Sequence, residues 1–245
     1  LDQGQANNYY PNHLWLNEKK FPLAGNVISK HPGSRGRVAS KKVTWSHPVM
    51  TEQALSFVRG CKDQPFLLHV HWTIPHANNE GGRVYGDGME VPDYGPYEKR
   101  DWKNTSKGQA AMISWMDRDV GRLIDLLREL KIDHRTLVVF TSDNGPHSEG
   151  GHKHEVFDAN GPLRGFKRDL YDGGIRVPTI AWWPGVVKPG TTCSEPLAFW
   201  DFLPTACELA GAAVTEPVDG ISFVNALRGR KQKSHDYLYW KFGSK

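Results

Sequence analysis

The 245-residue chain lacks any apolar run of bilayer length, so nothing in it reads as a membrane span. Its first residues, Leu1 to Gln5, lack the basic start and apolar core of a secretory leader. Cysteine is scarce: Cys61, Cys193 and Cys207 have neither metal-site nor redox spacing, and three thiols cannot all pair within one chain. An excess of charge is also missing. Lys and Arg number 31 against 27 Asp and Glu, without clustering, which excludes nucleic acid as an obvious partner but suits an anionic substrate. Internal repeats and low-complexity tracts are absent as well. The chain does not begin with Met, and its end, "HDYLYWKFGSK", reads as a strand just starting. Both features lead us to expect a segment of a longer protein.

Residues 1–45 read as surface loops with a short ribbon at Val38 to Thr44. "TEQALSFVR" (51–59) predicts a helix capped by Thr51. "PFLLHVHWTIPH" predicts a buried strand from Phe66 to Trp72, ending at Pro75-His76. Residues 77–106 are irregular and rich in Tyr and Trp, which suggests an ordered functional loop. The clearest helix spans Lys107 to Lys131, where Met112, Ile113, Met116, Val120, Leu123, Ile124, Leu127 and Leu130 recur at three- and four-residue steps. "RTLVVFTSDNG" follows as strand then loop, "VPTIAWWPG" (177–185) as a second strand, and "FWDFLPTACELAG" (199–211) as a helix ended by Gly211. Helix alternating with strand indicates an α/β fold.

Three stretches could carry chemistry. Asp143-Asn144 follows a strand expected to be parallel, and ligands bind at the carboxyl ends of such strands. Its two hard oxygens suit Ca²⁺ or Mg²⁺, yet Asp-Asn-Gly is equally good turn chemistry. His76 lies at another strand end, either as a solvated or satisfied histidine or facing the same cleft. "GPLRGFKRDLYDGGIRVP" (161–178) sets Arg164, Lys167, Arg168 and Arg176 among glycines. It is either a solvated basic loop or a site that neutralises a phosphoryl or sulfuryl group. The glycines would let backbone and ligand approach closely. His152 and His154 lack the partners a zinc site needs, so the segment 147–154 reads as a flexible loop at a cleft mouth.

In this order the stretches closely resemble the formylglycine-dependent, arylsulfatase A-like sulfatases of the alkaline phosphatase superfamily. "TLVVFTSDNGP" is similar to that family's second metal-binding segment and "WTIPHANN" to the strand end bearing its histidine. Residues 161–178 are similar to its signature around the sulfate-binding lysine, with Asp172 where Glu is more usual. "MDRDVGRLIDLLREL" and "FWDFLPTACELAG" are similar to its flanking helices. The resemblance implies a mixed sheet flanked by helices and incomplete at its start. Residues 1–235 would be the later part of a catalytic domain and 236–245 the beginning of a C-terminal subdomain. It implies that Asp143 and Asn144 ligate Ca²⁺, or Mg²⁺ in its place. His76 and Lys167 would be catalytic and hold the sulfate ester, with His147 among the substrate contacts. The implied substrate is an aryl or carbohydrate sulfate, the implied partner the N-terminal half of the same domain, and the implied location periplasmic, secreted or lysosomal.

One departure is informative. The family's nucleophile is a formylglycine made from a Cys/Ser-x-Pro-x-Arg segment, and none occurs in these residues; Cys193 is followed by Ser194-Glu195-Pro196. Two other readings therefore stay open at this point. One is a phosphomonoester or phosphonate hydrolase of the same superfamily; the other is a non-catalytic remnant that binds sulfated ligands.

Overall fold

The computed structural model describes residues 7–32 and 37–243. They form two compact units, the first made of the described residues up to 130 together with 144–176, the second of residues 131–143 and 177–243.

The first unit begins with two antiparallel ribbons. Strands β1 (His13–Leu16) and β2 (Lys19–Pro22) form one, β3 (Val27–Lys30) and β4 (Arg37–Lys41) the other. The expected ribbon at Val38 to Thr44 holds only as far as Lys41, as the second strand of a ribbon, and the stretch before it is not simply loop. Helix α1 (Ser46–Cys61) starts five residues before the Thr51 expected to cap it. Pro48 sits in its first turn, where no intrahelical N–H is needed, so it does not delay the start. Thr51 is instead buried inside the helix, and its hydroxyl donates to Asp119.

The expected strand from Phe66 to Trp72 does not form among the described residues. The segment still alternates as a strand would, with Leu67, His69 and His71 exposed and Phe66, Leu68, Val70 and Trp72 half-buried. Period-two patterning is present, but no neighbouring strand supplies a ladder. The long segment after it is ordered, with α2 (Asn79–Tyr85) capped by the Asn78 side chain and ended by Gly86. Helix α3 (Asn104–Glu129) buries Met112 and Leu127 as expected, and also Leu126, whereas Ile113 is exposed. The core of this unit joins Tyr9, Tyr10, Trp45, Ile74, Ala77, Met89 and Met112.

Within that core, α1 and α3 are joined by a buried polar pair. The His47 ring donates from Nε2 to Asp119 Oδ2 at 2.9 Å, and both side chains are fully buried. Arg118 and Arg122 bind the other Asp119 oxygen. Burial lowers the His47 pKa to about 4 despite the opposing pull of Asp119, so the ring is a neutral donor rather than half of an ion pair.

In the second unit, β5 (Val138–Thr141) pairs antiparallel with β6 (Thr179–Trp182). The expectation of a parallel neighbour for β5 fails among the described residues, because the only strand that reaches it runs the other way. Helices α5 (Phe202–Ala210) and α6 (Val224–Leu227) complete this unit. Gly211 ends α5 in the left-handed region at φ 68°, as its sequence suggested. Asp201, fully buried, accepts from the Ala198 and Ile221 amides and from His235 Nε2, each at 2.8 Å.

Candidate active site

The residues singled out in the first unit converge. The short helix α4 (Asp172–Ile175) closes the turn that begins at Arg164. Backbone bonds tie it together: Gly173 N–H donates to Arg164 O at 2.7 Å and Gly145 N–H to Gly174 O at 3.0 Å. Lys167 N–H donates to Pro146 O at 2.8 Å, so Asn144 to Pro146 are fastened to the basic turn. A Cβ on Gly145 would stand 1.9 Å from Gly173 O. The glycines of 161–178 therefore serve an approach of backbone to backbone. Arg164 stacks its guanidinium 3.7 Å from the Tyr171 ring centre, which accounts for one cation of the stretch.

The turn delivers the Lys167 ammonium to His76, with Nζ 2.6 Å from Nε2. His76 Nδ1 lies 2.7 Å from Ala77 O, a pure acceptor, so Nδ1 carries the ring proton and Nε2 accepts from the lysine. The tautomer follows from that geometry. The buried Tyr9 hydroxyl donates to His76 O and anchors the backbone there.

Residues 147–154 are packed rather than loose. His147, His152 and His154 are all buried. His147 Nε2 donates to Pro75 O at 3.0 Å, and its Nδ1 accepts from the Glu149 amide at 3.2 Å. Its ring faces His76 with centres 6.0 Å apart, and burial pushes its pKa down. His152 stacks on Phe157 and His154 on Phe166, so these rings do not converge on a metal. Burial, with the neighbouring His147 and His154, lowers His152 to about 4. Gly150, at φ 61°, lies where a Cβ would strike Ala77 at 2.7 Å, which brings the segment hard against the residue after His76.

Glu149 is the group that sequence reasoning missed. Its carboxylate accepts from Lys167 Nζ at 3.1 Å and from Arg168, and lies 3.7 Å from His76 Nε2. Burial alone would raise this carboxyl, but hydrogen bonds from Arg168 and Lys167, and their charges, hold it at about 2. The available signal was one acid among histidines and glycines, "HSEGGH", facing a basic turn.

Asp143 belongs to the second unit and is exposed; Asn144, its chain neighbour, belongs to the first and is half-buried. Asn144 Nδ2 donates to Gly145 O at 2.8 Å, so its amide oxygen is the atom suited to a cation. These two hard donors fit Ca²⁺ in kind but not in number, since the ion takes about six to eight oxygens. Among the described residues no group of three or more His, Cys, Asp or Glu is placed to hold a metal.

In a chain of α/β segments, a lysine from a glycine-rich basic turn thus meets a histidine from a distant segment. The family model described as Sulfatase matches residues 5–212, and the chain belongs to the sulfatase family, sulfuric ester hydrolases of the alkaline phosphatase superfamily. It is 33% identical to the steryl-sulfatase of Homo sapiens over 204 residues, covering 78% of this chain and 31% of that protein. Against the uncharacterized sulfatase YdeN of Escherichia coli K12 it is 28% identical over 228 residues, 90% of this chain and 38% of that protein. The crystal structure of Ps i-CgsB in complex with k-i-k-neocarrahexaose superimposes with a TM-score of 0.66 at 27% identity, over 83% of this chain and 42% of that one. The chain thus spans about a third of the curated relatives' length. The α/β sulfatase fold expected from the sequence holds. No helix among the described residues is long and apolar enough to cross a membrane.

Proposed function

We propose that this chain carries the sulfate-binding side, and part of the metal-binding side, of a sulfatase active site whose protein hydrolyses sulfate esters. The observation that carries the reading is the 2.6 Å contact of Lys167 Nζ with His76 Nε2, made by residues from two family-like motifs far apart in sequence. Lys167 binds a sulfate oxygen and neutralises its charge. His76, its Nδ1 proton held by Ala77 O, takes up a second proton at Nε2 and gives that proton to the departing alcohol oxygen, returning to the neutral ring. His147, with both ring nitrogens on backbone, meets the substrate through its ring.

Asp143 and Asn144 would hold Ca²⁺, or Mg²⁺ in its place. When bound, the ion supplies Lewis-acid polarisation of the sulfate. The formylglycine nucleophile and the remaining ligands would come from outside these residues, from the N-terminal half of the domain, and the protein would act in the periplasm, outside the cell or in the lysosome. The substrate class is an aryl or carbohydrate sulfate. A carbohydrate is supported by the k-i-k-neocarrahexaose in complex with Ps i-CgsB. Turnover of an aryl sulfate and of sulfated oligosaccharides by the full-length protein, against Lys167→Ala, tests this. Equal activity in wild type and variant would sink it.

A further inference from the structure

We propose that Glu149 is a positioning and specificity-determining residue, tuning the Lys167–His76 pair to a monoanionic sulfate ester over a dianionic phosphate ester. The inference rests on the preceding reading of His76 and Lys167 as the ester-binding pair.

Position comes first. An ammonium has three N–H donors. One is directed at Glu149 Oε2 at 3.1 Å and one at His76 Nε2 at 2.6 Å, which leaves the third for a substrate oxygen. Lysine is a long, flexible side chain, so without the carboxylate its head would not be confined to that point. Arg168 grips the other oxygen, Glu149 Oε1, and does so from a left-handed backbone at φ 77°. A side chain is strained there. That backbone folds two consecutive side chains, Lys167 and Arg168, onto one carboxylate, whereas in an extended chain they would diverge.

Charge comes second. Lys167 and Arg168 bring two positive charges, Glu149 brings one negative, and the imidazole in the tautomer its partners dictate is neutral. These four side chains carry one net positive charge, one less than they would without Glu149, on top of whatever the metal side contributes equally in every variant. A sulfate monoester carries a single negative charge; a phosphate monoester above its second ionisation, near pH 6, carries two. Specificity is a difference between two affinities, and a fixed surplus of one charge contributes to that difference without rejecting either ester outright. Both Glu149 oxygens serve as anchors, one for each cation.

The test uses the full-length protein with 4-nitrophenyl sulfate and 4-nitrophenyl phosphate at about pH 8, where the phosphate is dianionic. Glu149→Gln keeps the shape and raises the cluster's charge by one. We expect kcat on the sulfate to fall about 10- to 100-fold from lost positioning. The sulfate-to-phosphate ratio of kcat/KM should fall about tenfold, and Glu149→Asp should recover part of both losses. Arg168→Gln changes the charge the other way and should raise that ratio. A purely structural role would lower both substrates together. Ratios unmoved, or moving in the same direction in the two charge variants, overturn the proposal, and so does a Glu149→Gln enzyme with a lower KM and unchanged kcat, which would make Glu149 a displaceable stand-in for sulfate. If Glu149→Gln does not fold, as judged by circular dichroism, the sign of the Arg168→Gln shift decides. Lys167→Ala separates the two levels: retained sulfate turnover there refutes the underlying reading, whereas loss there with unmoved ratios refutes only the role of Glu149.

Discussion

Lys167 Nζ donates to His76 Nε2 at 2.6 Å, while the opposite ring nitrogen is fixed on Ala77 O. A compact ammonium suits this contact because it can point at the ring nitrogen, at Glu149 and at the ester at once. Arginine cannot do the same, since its five donors lie in a rigid plane. Lys167→Arg should therefore keep the charge and still lose about 100-fold in kcat on an aryl sulfate, close to the loss in Lys167→Ala. Steady-state kinetics on the full-length protein checks this, and an arginine variant with near wild-type kcat would show that charge alone suffices.

A second consequence concerns acid stability. His47 has its pKa lowered to about 4 by burial, against about 6.5 in an unfolded chain. Between those values the unfolded chain binds a proton that the folded one refuses, so the stability held above pH 6.5 is lost as pH falls toward 4 and levels off below it. The full loss from this group is on the order of 3 kcal/mol. His152, also lowered to about 4, acts in the same window with the same sign. Asp119 is lowered from its ordinary value, so its contribution disappears only at still more acid pH and does not offset the histidines. Urea unfolding at pH 7.5 and 4.5 should show this drop, and His47→Gln should shrink it by roughly half. An unchanged drop in the variant would mean that His47 is protonated in the folded chain.

How far the sequence discloses the molecule depends on how local each feature is. Helix α3 was legible because its apolar residues repeat within a turn or two, and Gly211 because a left-handed cap is set by its own residue. The glycines of 161–178 were legible as a motif, yet their reason, the crossing of Gly145 over Gly173 and Gly174, lay some thirty residues away. Phe66 to Trp72 has strand periodicity, but a strand exists only with a neighbour to bond, and periodicity carries no information about neighbours. Glu149 was silent for a related reason: its partners Lys167 and Arg168 are 18 and 19 residues distant, and only folding turns a lone acid into an anchor.

Asp201 offers a test confined to the second unit. Its carboxylate satisfies two backbone amides and one histidine while fully buried, so it pins Ala198, Ile221 and His235 at one point. Removing it leaves several buried donors without a partner, at about 1–3 kcal/mol each before relaxation. Asp201→Ala should lower stability by about 3–5 kcal/mol. Asp201→Asn, which keeps one acceptor oxygen, should cost less. Thermal unfolding of the three proteins measures both differences, and equal losses would mean that the second oxygen carries the interaction.

Gly145 and Gly60 make the sharpest pair of glycine substitutions. A methyl on Gly145 would meet Gly173 O at 1.9 Å and Gly173 C at 2.9 Å, both backbone atoms that cannot swing aside. The bond from Gly145 N–H to Gly174 O would break as the strands of chain separate, and Lys167, fastened through Pro146 O, would move with them. Gly60 lies in α1 with nothing within 4 Å of the added carbon. Gly60→Ala should therefore stabilise the protein by about 0.5–1 kcal/mol, the ordinary helix preference for alanine. Gly145→Ala should destabilise it by about 3 kcal/mol or more and abolish sulfate turnover, because overpacking against backbone has no cheap relief. Denaturant midpoints of the two variants against wild type give opposite signs if the crossing of Gly145 and Gly173 is as close as described. A neutral Gly145→Ala would show that the basic turn tolerates being pushed away from residues 144–146, and that Lys167 is positioned by Glu149 alone.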